Sequence, residues 1–108
     1  PILKNGSEII ELEDGCPGLG MLDYLPSPKI GIIDILPSST LVTYTDGLVE
    51  VENNNQTEYG TQKVKKAIVK CPDTSMEELN RYLIDDLTKF KQSQPFVDDI
   101  AILSCKFI

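Results

Sequence analysis

The sequence predicts an α+β fold: antiparallel strands first, then two helices, then one returning strand. Three observations carry this. Asn5-Gly6 lies between two short apolar-alternating runs, the strongest two-residue signal for a β-hairpin. Thr40 to Thr45 is an unbroken run of β-formers, closed by Asp46-Gly47. Ser75 and Glu78 form a capping box ahead of the apolar stripe Leu79, Tyr82, Leu83, Leu87 and Phe90, at helical spacing.

The elements follow in order. Ile2–Lys4 and Ser7–Leu12 make the hairpin, with a type I′ turn expected at Asn5-Gly6. Glu13 to Ser27 is a loop rich in Gly and Pro. Its Gly18-Leu19-Gly20 lacks the Lys-Ser/Thr pair and the strand–loop–helix setting of a phosphate loop. Lys29 to Leu36 is dense in isoleucine and reads as a strand partly buried on both faces. Pro37-Ser38-Ser39 turns it into the Thr40–Thr45 strand, so that these two make a second antiparallel pair. Glu50 to Tyr59 is polar and reads as an exposed loop. Gly60-Thr61 opens a helix whose Val64, Ala67, Ile68 and Cys71 share one face, and Pro72 ends it. The capped helix follows, with Lys89 and Lys91 at its dipole-negative end. Ile100 to Ile108 is apolar on both faces at first and reads as a central strand.

Composition excludes several functions. The chain has 108 residues, 41% of them apolar, which allows one domain and rules out a disordered chain. Seventeen acidic residues against ten basic ones give a net charge of −7. That balance disfavours nucleic acid and anionic membrane as partners. No apolar run is long enough to span a bilayer, and no cationic leader precedes an apolar core. Cys16, Cys71 and Cys105 are odd in number and widely spaced, so reduced thiols in a cytoplasmic protein are expected rather than disulfides or zinc. There is no histidine. Chemistry in this chain therefore rests on carboxylates, backbone or metal.

The carboxylates that matter stand at strand ends. Asp46 follows the Thr40–Thr45 strand, where Gly47 permits a sharp exit and a positive φ. Asp98 and Asp99 precede the last strand. If those strands are antiparallel neighbours, the carboxylates meet at one edge of the sheet. Oxygen-only donors grouped in this way suit Mg²⁺ or Mn²⁺. Taken singly, Asp46-Gly47 is an ordinary turn and Asp98-Asp99 a solvated strand start.

Together, Tyr44-Thr45-Asp46-Gly47-Leu48-Val49-Glu50, Glu58-Tyr59-Gly60 at a helix start and Asp98-Asp99-Ile100-Ala101-Ile102-Leu103 resemble the metal-dependent Ser/Thr protein phosphatases of type 2C. The likeness is to their bacterial SpoIIE branch. It runs through nearly the whole chain in order and covers residues 1–108 as the C-terminal portion of such a domain. The chain would begin just past the family's Ala-Gly-His segment. Ala101 stands where the family places a hydroxyl residue. The family's first metal motif, an Asp-Gly pair in a glycine-rich hairpin, has no counterpart here.

The resemblance implies a fold, a site and a function. The fold would be part of an α-β-β-α sandwich, with two helices after the YTDG strand. Asp46 and Asp98 would be metal ligands, and Asp99 would support or replace Asp98. Two Mn²⁺ or Mg²⁺ ions would activate the water that attacks phosphoserine or phosphothreonine. The partner would be a phosphorylated protein similar to an anti-sigma-factor antagonist, in bacterial signalling. Half a sandwich leaves sheet edge and apolar face uncovered, which implies a homodimer. The isolated chain would be inactive. The competing reading is a truncated, non-catalytic module that binds a protein partner.

Overall fold

The structure, a computed structural model, describes all residues from Pro1 to Ile108. β1 (Ile2–Asn5) and β2 (Glu8–Glu11) form the hairpin. Asn5 pairs with Glu8, so the two-residue turn is Gly6-Ser7, one position later than Asn-Gly implies. Gly6 has φ +66° and Ser7 is not in the left-handed region. This is the pattern of a type II′ turn, which needs glycine at its first central position.

β3 (Thr40–Tyr44) and β4 (Ile102–Lys106) complete one antiparallel sheet of order β2-β1-β3-β4. α1 (Asp46–Val49) follows β3 directly, then α2 (Gly60–Lys70) and α3 (Met76–Lys91). The register puts Ile2 beside Val42, and Val42 beside Ser104. Ile2 and Val42 point into the core with Leu48, Val64, Ala67, Ile68, Leu79, Leu83 and Leu87, so both long helices lie on that face of the sheet. The N-cap half of the capping box forms: Ser75 Oγ accepts from the Glu78 N–H at 3.2 Å.

The opposite face carries Leu3, Ile10, Leu41, Leu103 and Cys105, by alternation along the paired strands. Leu3 is buried, but Leu103 is 64% exposed and Cys105 is exposed. No helix is long and apolar enough to cross a membrane.

Two strand expectations fail. Lys29–Leu36 forms no strand. β3 has β1 on one side and β4 on the other, so neither of its edges is open to the isoleucine run. Ile30 and Ile32 are 80% and 95% exposed instead. The Asn5 side chain fastens the end of this segment to the hairpin, donating to the Asp34 carbonyl at 3.0 Å and accepting from the Leu36 N–H at 2.9 Å. The last strand is also shorter than expected and lies at the edge of the sheet, not its centre. Its uncovered outer face explains why apolar residues on both faces misled the reading.

The Glu50–Tyr59 loop has more structure than its polarity implied. Glu52 bridges Glu58, and Asn53 Oδ1 accepts from the N–H groups of Asn55 and Thr57. Asn54 reaches across to the segment before Asp98: its N–H donates to Gln92 Oε1, and its Oδ1 accepts from Ser93 Oγ and Gln94 Nε2.

Candidate metal centre

The β3–β4 ladder sets the site. Tyr44 pairs with Ile102, the last pair of the ladder. Beyond it, the Thr45 N–H donates to the Ala101 carbonyl at 3.1 Å, which carries the pairing one step further. The Thr45 hydroxyl then makes two bonds: it donates to the Asp99 carbonyl at 3.2 Å and accepts from the Ala101 N–H at 3.1 Å. One side chain thus locks Asp99 and Ala101 to the residue before Asp46.

Gly47 completes the clasp. It lies inside α1, and its φ is not in the left-handed region. The expected positive φ is therefore corrected; the glycine serves close approach instead. A Cβ at this position would collide with the Asp99 carbonyl oxygen and would lie 3.5 Å from Asp98 Cβ. Only a residue without a side chain lets the first turn of α1 seat against Asp98-Asp99.

Asp46, Asp98 and Asp99 are thereby brought to one exposed edge, as antiparallel pairing of the two strands requires. Asp98 Oδ1 accepts from the Asp99 N–H at 2.8 Å. Glu50 and Glu52 border a neighbouring cleft of about 230 Å³, walled on its other side by Gln94, Pro95 and Val97. No group of three or more Cys, Asp or Glu side chains converges closely enough to hold a metal ion.

The donor set fits Mg²⁺ or Mn²⁺ in kind, since every candidate ligand is a carboxylate oxygen. It fits in number only for a loosely held ion. Mg²⁺ commonly takes one or two carboxylates and keeps several waters. Sequence reasoning missed Thr45. Its signal was present: a hydroxyl directly before the acidic residue, with Ala101 lacking one across the ladder.

A short helix follows an antiparallel strand and is clasped to an acidic pair just ahead of the neighbouring strand, within an α+β domain. The chain matches the family described as Stage II sporulation protein E (SpoIIE) over residues 1–108, and it belongs to that family. Its single antiparallel sheet with helices on one face agrees with part of a type 2C phosphatase-like sandwich. Searches of curated proteins and of solved structures gave no match.

Proposed function

We propose that this chain is the C-terminal portion of a metal-dependent phosphoserine/phosphothreonine protein phosphatase domain acting in bacterial signalling in the cytoplasm. The observation that supports it best is the clasp of Thr45 and Gly47 on the Asp98-Asp99 backbone, which holds that segment against the first turn of α1, where Asp46 stands. Family membership supports the phosphatase class. Bound Mn²⁺ or Mg²⁺ would supply an activated water and neutralise charge on the phosphoryl oxygens. Asp46 and Asp98 would hold the ion, with Asp99 behind them. The Thr45 hydroxyl, bonded to the Asp99 carbonyl and the Ala101 N–H, would keep the two strand ends in register around the ion.

The substrate in this reading is a phosphorylated protein similar to an anti-sigma-factor antagonist. The uncovered sheet face around Leu103 and Cys105 supports self-association as a homodimer. The second reading is a non-catalytic partner-binding module. It is favoured by the lack of a third converging carboxylate.

Phosphate release from a phosphoserine protein separates the two. The chain alone is expected to be inactive. Joined to an upstream half that supplies the family's first Asp-Gly motif, it turns over with Mn²⁺, and Asp46→Ala abolishes that turnover. An inactive joined protein would favour the binding module.

A further inference from the structure

The ten basic residues of this acidic chain are unevenly used. Lys29, Lys65, Arg81 and Lys106 each sit in an ion pair. Lys91 donates to the Gln94 carbonyl at 2.7 Å and lies over the Phe96 ring. Four of the remaining lysines, Lys63, Lys66, Lys70 and Lys89, line one groove between α2 and α3, and none of them is in an ion pair. The groove has a volume of about 440 Å³. Its floor is Tyr59, Ala67 and Phe90, with Tyr59 edge-on to Phe90 and Lys63 Nζ 4.8 Å from the Phe90 ring centroid. The one acidic group in the lining is Asp86, which is engaged as acceptor of the Tyr59 hydroxyl.

We propose that this groove is a docking site for an acidic segment of a protein partner. Charge complementarity carries the inference. Lys63, Lys66 and Lys70 follow the i, i+3, i+7 spacing of one helix face, so their charges spread over about 10 Å instead of converging on one point. Lys89 adds a fourth charge from the facing helix. A single phosphate needs donors that converge, whereas a row of this length suits charges spaced along a chain. Nucleic acid and anionic membranes need a broad positive surface, and the chain's net charge is −7. Carboxylates spaced along a peptide match the row, and the apolar floor offers burial to the residues between them. No residue of α1 or of the Asp98-Asp99 pair lines the groove. The inference therefore stands without the metal-binding reading.

The test is fluorescence anisotropy with a labelled peptide carrying glutamates at i, i+3, i+4 and i+7, and with its glutamine counterpart. Saturable binding of the acidic peptide alone is expected at about 50 mM salt, weakening steeply toward about 200 mM. Lys66→Gln with Lys70→Gln should weaken it about tenfold, because each exposed pair contributes modestly and two are lost. Both lysines are exposed, and far-UV circular dichroism checks that the helices persist. Lys29→Gln should leave the affinity unchanged. Equal affinity in the double variant, or no saturable binding, overturns the proposal. Lysine-dependent binding that is tighter to duplex DNA or to phosphatidylserine vesicles than to the peptide also overturns it.

Discussion

Gly47→Ala sets two physical effects against each other. Inside an ordinary helix, replacing glycine by alanine stabilises by about 0.5–1 kcal/mol, because glycine loses more backbone freedom on folding. Here the added methyl meets the Asp99 carbonyl, whose carbon would lie only 3.1 Å away. Restoring ordinary contact requires the Asp98-Asp99 backbone to move by about 1 Å, and overpacking of that kind costs about 1–3 kcal/mol. The same movement stretches the Thr45 Oγ1–Asp99 carbonyl bond, already 3.2 Å, beyond hydrogen-bonding range. That adds about 0.5–1.5 kcal/mol. The clash outweighs the propensity gain, and a net destabilisation of about 1–3 kcal/mol is expected. Urea unfolding followed by circular dichroism measures it. An unchanged or raised midpoint at constant slope would refute the close approach of α1 to Asp98-Asp99, and the site built on it.

Thr45→Val should cost about 1–2 kcal/mol in the same assay, since the Ala101 N–H and Asp99 carbonyl both lose their partner; no loss would mean that water replaces the hydroxyl without cost. Thiol labelling at pH 8 should modify Cys16 and Cys105 promptly and Cys71 only on unfolding, because Cys71 is buried and burial pushes its thiol pKa up. Slow Cys105 labelling that speeds up on dilution would instead reveal the homodimer across the uncovered face. The Asp73 carboxyl is held below its usual range by its bond to Lys106 and the charge behind it. A folded pKa below the unfolded one gives stability that is present above about pH 4 and is lost as pH falls through the lowered folded value. Lys106→Met should flatten that part of the acid profile, and an unchanged profile would show the pair to be fully screened.

The two long helices and the hairpin were legible because their signals are local, whereas α1, read as a turn at Asp46-Gly47, was not. Ser75 and Glu78 cap α3 within one turn, and Pro72 forbids continuation of α2. The pairing of β3 with β4 entered the sequence analysis only as a condition, under which the acidic residues closing one strand and preceding the other would share an edge; the structure meets that condition. Residues 29–36 were not legible. Isoleucine density reports fitness for a half-buried pleated surface, not the presence of an open neighbour. With β1 and β4 both on β3, Ile30 and Ile32 had no place beside β3, the strand that their run was expected to pair with. Gly47 was singled out correctly for a different reason. The sequence shows that a glycine is needed there, but whether for φ or for space depends on a chain segment about fifty residues away. Tyr59 was likewise read as part of a motif, while its place is structural: it is buried, its hydroxyl donates to Asp86, and burial and that bond raise its pKa.

The central claim is that Asp46 and Asp98 share one metal ion at the end of the β3–β4 pair. Mn²⁺ titration by calorimetry on the wild-type chain, Asp46→Asn and Asp98→Asn tests it most directly. A weak single site is expected in the wild type, because two carboxylates leave most of an octahedral shell to water, and it should be lost in either variant. Equal Mn²⁺ affinity in all three proteins would contradict the account.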